Sequence, residues 1–153
     1  MQKAIFLILF PIIIFCSCDN SDKLADEVAK INVDLKVYRF DREFAEAKPV
    51  DIPILKEKYP YLFPANYPDS IWVSKLQDTL QLEVMEEVGK SFPDFESEKE
   101  DLEWLFKYIK YYFPDYTLPK LVTVTSEVDY NNRIILTDSL LLVGLDNYLG
   151  SSH

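Results

Sequence analysis

The chain has 153 residues, enough to bury one ordinary hydrophobic core. Apolar residues make up 48% and charged residues 27%, a globular rather than a disordered composition. Its 16 basic and 26 acidic residues give a net charge of −10, which excludes nucleic acid as a partner and excludes adsorption to anionic lipid by charge alone.

A membrane-bound form therefore needs a covalent tie, and the N-terminus offers one. Lys3 is followed by an almost unbroken apolar run, Ala4 to Phe15 (AIFLILFPIIIF). As a helix this run rises about 18 Å, well short of a hydrocarbon core of about 30 Å. That length suits the apolar region of a removable signal, and Pro11 further disfavours a spanning helix. The run closes in Phe15-Cys16-Ser17-Cys18, which resembles the bacterial lipobox, here with Phe15 in place of the commoner Leu. Residues 1–17 are thus read as a lipoprotein signal peptide and Cys18 as the lipid anchor and new N-terminus. The competing readings are an uncleaved anchor or a Cys16–Cys18 disulfide, for which the spacing is awkward. After acylation no free thiol remains, so packing alone must stabilise the domain.

Residues 18–30 are polar and read as a flexible tether. Ile31, Val33, Leu35 and Val37 then alternate with polar residues, the pattern of a strand with one buried face. Five prolines between Pro49 and Pro68 are interleaved with Tyr59, Tyr61, Phe63 and Tyr67, which predicts a short helix over 52–59 inside an ordered, aromatic-pinned loop. Asp78 and Gln81 form a D-x-x-Q cap for a helix that Gly89 is placed to end. Ser97 and Glu100 form a capping box for a longer helix running to Phe113, with Pro114 as its stop.

On that second helix Leu102, Leu105, Phe106, Ile109 and Phe113 share a stripe, and Trp104, Tyr108, Tyr111 and Tyr112 widen it to an apolar arc of roughly 220°. Glu103, Lys107 and Lys110 mark the solvent side. Either the helix lies between a sheet and the Pro-rich loop, or Trp104, Tyr108 and Tyr111 form a partner-binding edge. Further on, residues 121–128 and 133–137 flank Asp129-Tyr130-Asn131-Asn132 and predict a β-hairpin. Leu140 to Leu145 is a buried strand or the start of a buried helix. The fold class expected is α+β, short helices on a small, mostly antiparallel sheet, preceded by a signal helix.

Chemistry is sparse. The only histidine is the terminal His153, and the three glycines are scattered, which leaves no histidine-based triad, no His/Cys zinc site and no Gly-rich phosphate cradle. Asp129, Asp138 and Asp146 are the carboxylates with a chance to converge, although turns and strand ends favour Asp for backbone reasons. The chain is read as non-enzymatic, with no catalytic residue, metal, cofactor or small-molecule substrate. Asp69-Ser70-Ile71, Asp78-Thr79-Leu80 and Asp138-Ser139-Leu140 also match the D-S/T-aliphatic pattern of periplasmic O-glycosylation in Bacteroidetes, although helix capping accounts for Asp69 and Asp78.

Several segments taken in order resemble the gliding-motility lipoprotein GldB family of Bacteroidetes: INVDLKVYRFDREF (31–44), KYPYLFP (58–64), PDSIWVSKLQD (68–78), YIKYYFP (108–114) and the stretch from Pro119 to Gly150. The resemblance implies a membrane-anchored cell-envelope lipoprotein, periplasm-facing, that supports gliding motility and the associated type IX secretion machinery. Its partners would be the membrane, through the lipid on Cys18, and envelope motility or secretion proteins. Family members run longer, so 31–153 is expected to be a single α+β domain incomplete at its C-terminus. The remainder of the family looks distantly like zinc peptidases, which makes the N-terminal part of such an enzyme the alternative reading.

Overall fold

The computed structural model describes residues 20–150; the leader expected over 1–17, Cys18 and His153 lie outside the described residues. Helix α1 spans Asn20–Ala29, strand β1 Val37–Arg39, α2 Phe40–Ala45, α3 Ile52–Lys58, α4 Asp69–Lys75, α5 Thr79–Ser91 and α6 Glu96–Tyr112. Strands β2 (Lys120–Val124), β3 (Ile134–Leu136) and β4 (Leu140–Gly144) complete the α+β fold.

The tether expected over 18–30 is instead largely helical. Its charges hide a sparse apolar stripe, Leu24, Val28 and Ile31 at i, i+4 and i+7. Val28 is fully buried and Ile31 packs against the core, so α1 belongs to the folded body. The alternation that follows is real, with Val33 and Leu35 buried, but ladder pairing begins only at Val37. Before that point the chain runs along α6, where the Leu35 amide donates to Glu103 Oε1 at 3.1 Å.

The sheet order is β1-β2-β4-β3. Pairs β1/β2 and β2/β4 are parallel and only β3/β4 is antiparallel, so the sheet is mixed and not mostly antiparallel. The expected hairpin between 121–128 and 133–137 is not formed. Its place is taken by a β3–β4 hairpin that turns at Asp138-Ser139, where the Thr137 amide donates to the Leu140 carbonyl at 2.8 Å. The physical reason lies in β2: Leu121, Val122 and Thr123 are all buried, as a central strand covered on both faces requires.

Register sorts the core into two layers. Val37, Leu121 and Leu141 lie on one face with Val33, Leu35, Val88, Phe95, Phe106 and Leu145. Tyr38, Val122 and Leu142 lie on the other, against Phe40, Phe44, Ile52, Leu55, Tyr59, Phe63 and Met85. The Pro-rich segment therefore packs on the sheet face opposite α6. There Phe40 meets Tyr59 edge-on at 5.1 Å, and Phe63 meets Trp72 at 4.6 Å.

Two helix boundaries differ from expectation. Asp78 caps α5, accepting from the Gln81 amide at 3.0 Å, but Gly89 lies inside the helix. The helix stops at Phe92 because Pro93 disfavours helical geometry in the residue before it. Helix α6 starts without the Ser97/Glu100 box: its N-cap is Phe95 in the left-handed conformation (φ 62°), and Asp94 accepts from the Glu96 amide at 3.1 Å.

A buried ion pair joins these parts. Arg39 donates from Nε and Nη2 to the two carboxylate oxygens of Asp41 at 2.9 and 2.7 Å. Nη2 also reaches the Phe92 carbonyl at 2.9 Å, and Thr123 Oγ1 donates to Asp41. Arg42 donates to the neighbouring Pro93 carbonyl.

The expected α6 stripe faces the core along its centre but not at its edge or its C-terminal end. Phe106 is buried with Leu102 and Ile109 beside it, whereas Leu105 and Phe113 are exposed. Phe106→Ala should lower the unfolding free energy by about 3–5 kcal/mol and Leu105→Ala by less than about 1 kcal/mol. Urea denaturation giving the reverse order would place a different face of α6 on the core.

Candidate functional site

Helix α6 is 17 residues long, about 25 Å, and its sequence divides by charge. Glu96, Glu98, Glu100, Asp101 and Glu103 crowd the first half, where carboxylates favour the positive end of the helix dipole. From Trp104 to Phe113 the only charged residues are Lys107 and Lys110, and the rest are aromatic or aliphatic.

Leu102, Phe106 and Ile109 face the core. At about 100° per residue, Trp104 and Tyr108 then point away from the core, and Tyr112 and Leu105 carry the same ridge round to its edge. The exposures agree: Trp104 43%, Leu105 51%, Tyr112 60%, with Tyr108 half-buried. The Trp104 and Tyr108 rings lie 6.4 Å apart, and Lys107 Nζ sits 4.9 Å from the Trp104 ring centroid, a cation–π contact.

Of the three residues expected at a docking edge, Trp104 and Tyr108 stand on this outward ridge. Tyr111 does not. Its hydroxyl donates to Glu27 Oε2 at 2.7 Å, closing the seam between α1 and α6, and that bond is the main reason its phenol pKa is raised. The ridge also includes Leu105 and Tyr112. Sequence reasoning assigned Leu105 to the core because an arc this wide does not reveal which part faces inward. Glu103 carried the missing clue: it serves the Leu35 amide instead of marking a solvent face.

The Pro-rich loop does not cover α6, since it packs on the other sheet face. A wide apolar arc without that cover leaves aromatic surface in contact with solvent.

The carboxylates with a chance to converge take up backbone roles. Asp146 is buried and accepts from the Ser126 amide at 2.9 Å and the Val128 amide at 2.6 Å, and also from Ser126 Oγ at 3.0 Å. These bonds hold Glu127 and Val128 at φ 61° and 56°, a costly conformation for a β-branched residue. Asp146 borders a cleft of about 470 Å³ beside Glu83, Glu87 and Tyr130. Asp129 accepts from the Asn131 amide at 3.0 Å and Asn132 Nδ2 at 2.7 Å, and the Asn132 bond chiefly lowers its pKa. Asp138 sits in the exposed β3–β4 turn. Among the described residues no group of three or more His, Cys, Asp or Glu is arranged to hold a metal ion. Nor is any helix among them long and apolar enough to cross a membrane.

A family model described as gliding motility protein GldB matches residues 21–153. No curated protein and no solved structure matches the chain.

Asp146→Ala should cost about 1–3 kcal/mol, because it removes the acceptor shared by the Ser126 and Val128 amides. It should also open residues 125–130 to limited proteolysis. Asp138→Ala should stay within about 0.5 kcal/mol. Equal protease sensitivity in the two variants would show that the Asp146 carboxylate does not hold the loop.

Proposed function

The chain belongs to the family of the gliding motility protein GldB, a lipoprotein family, and from that premise we propose a non-catalytic, periplasm-facing envelope component that lipid on Cys18 holds to a membrane. It supports gliding and the associated type IX secretion machinery by docking motility or secretion proteins on the outward ridge of α6. The observation that carries this reading is the ridge itself: Trp104 and Leu105 are exposed on a helix whose other face packs on the core.

The physical supports are of two kinds. Lipid on Cys18 supplies membrane retention that a net charge of −10 does not, and stable anchoring takes two acyl chains rather than one. Aromatic side chains give large contact area at low entropic cost, which is why Trp and Tyr dominate binding hot spots. Against catalysis stand Asp129 and Asp146, whose oxygens already serve backbone and Asn side-chain donors.

Cys18→Ala should abolish incorporation of radiolabelled fatty acid and move the protein from the membrane to the soluble fraction. Retention of both properties would remove the anchor from the account. Trp104→Ala combined with Tyr108→Ala should weaken partner recovery from envelope extracts by about tenfold or more and slow gliding, with a shift in melting temperature below about 4 °C. A large fall in melting temperature with partner recovery intact would assign the two rings to packing instead.

A further inference from the structure

Tyr111, Tyr112 and Phe113 place three aromatic rings at the C-terminal end of α6, with Tyr112 and Phe113 exposed by 60% and 66%. The Tyr111 and Tyr112 rings meet edge to face at 5.1 Å. Tyr111 is also the residue that ties α6 to α1 through Glu27. That contact fixes how far this corner stands from the lipid.

The seven helical steps from Asn20 to Glu27 rise about 10 Å, and two chain steps through Asp19 join Asn20 to Cys18. Even with those two steps fully extended, chain length keeps Cys18 within about 18 Å of Glu27. A domain of this size has a radius of gyration of about 14 Å, so the leash is no longer than the body it holds. With Cys18 in the bilayer, the Glu27–Tyr111 corner would stand nearer the headgroups than the far side of the domain.

We infer that the aromatic end of α6, Tyr112 and Phe113 with Lys110 beside them, rests in the headgroup region of the bilayer that holds the lipid, and so sets the orientation of the domain on the membrane. This rests on the Cys18 anchor proposed above. Its occupant is the bilayer, and the chemistry fits: aromatic rings concentrate at membrane–water interfaces, where an apolar body and a polar tip are both satisfied. The interfacial zone is only about 5–7 Å deep on each side, the scale of one or two aromatic side chains. Lys110 is a short step from phosphate groups, whereas the acidic first half of α6 lies at the far end of the helix. The Trp104–Tyr108 part of the ridge then stands about 8–14 Å along the helix from Phe113, clear of the lipid and open to a neighbouring protein.

The test uses the full lipidated protein reconstituted into phosphatidylcholine vesicles that carry a doxyl quencher on the lipid. With Cys16 removed in the leader and Cys18 acylated, an introduced cysteine is the only thiol to label. Phe113→Cys and Tyr112→Cys, each bearing an environment-sensitive fluorophore, are compared with Ile54→Cys, an exposed position on the other side of the sheet. Lipid-borne quenching at least threefold stronger at 113 and 112 than at 54, with iodide quenching in the opposite order, is the expected result. Equal quenching at all three positions in vesicles that float with bound protein overturns the orientation and leaves the anchor standing. Failure of every version to float, with no fatty acid on Cys18, overturns both.

Discussion

The Arg39–Asp41 pair sits where the parts of this fold meet. Asp41 is buried at the start of α2, and a lone carboxylate there would cost several kcal/mol. Arg39 meets it with a two-point contact and carries a third bond on to the Phe92 carbonyl, while Thr123 of β2 donates to the same carboxylate. One ion pair thus connects β1, the central strand β2 and the turn between α5 and α6. Buried pairs are poor evidence for net stability, but this one has a definite geometric consequence. It requires β1 to lie beside β2 in one register, with Arg39 opposite Thr123.

From that junction the rotational setting of α6 follows. Arg39 and Arg42 hold the carbonyls of Phe92 and Pro93, and the guanidinium of Arg39 lies over the ring of Phe95 at 5.6 Å. Phe95, buried and left-handed, is the residue from which α6 starts. A helix launched from a fixed residue has a fixed phase. Glu103 on Leu35 and Tyr111 on Glu27 then lock it along its length. Trp104 and Tyr108 face outward because Leu102, Phe106 and Ile109 have been turned inward by these contacts.

Local chemistry was the part of the fold most legible in the sequence. The Asp78 cap, the helix over 52–58, the alternation of Val33 and Leu35 and the aromatic pinning of the Pro-rich stretch depend on neighbours a few residues away. Strand order does not. Asp138-Ser139 is a short turn and makes a hairpin of β3 and β4, yet residues 125–133 look equally turn-like until Asp146 draws Ser126 and Val128 away from the ladder. Helix ends were misread for a related reason. Gly89 and Ser97 are residue types that suit helix ends, but Pro93 and the clamped Phe95 decide the boundaries. Helix α1 escaped notice because its polar composition outweighs a stripe of three apolar residues, and the value of that stripe depends on the α6 seam it fits. At the candidate site Trp104 and Tyr108 were legible as aromatic surface. Tyr111 was not, because its partner Glu27 lies 84 positions away.

The distribution of charge separates shape from function in this molecule. Asp41, Asp78, Asp129, Asp146, Glu27 and Glu103 are committed to amides, hydroxyls and guanidinium groups that position the backbone. Other acidic residues, such as Glu86 and Glu100, lie exposed and give the surface its negative sign. Such a surface repels both nucleic acid and anionic lipid. On α6 it is interrupted from Trp104 to Phe113, ten residues without a carboxylate, on the helix to which α1 is bonded. On the proposed reading, lipid on Cys18 supplies retention and the aromatic end of α6 converts it into a defined orientation, so that Trp104 and Tyr108 would meet a neighbour at a set angle.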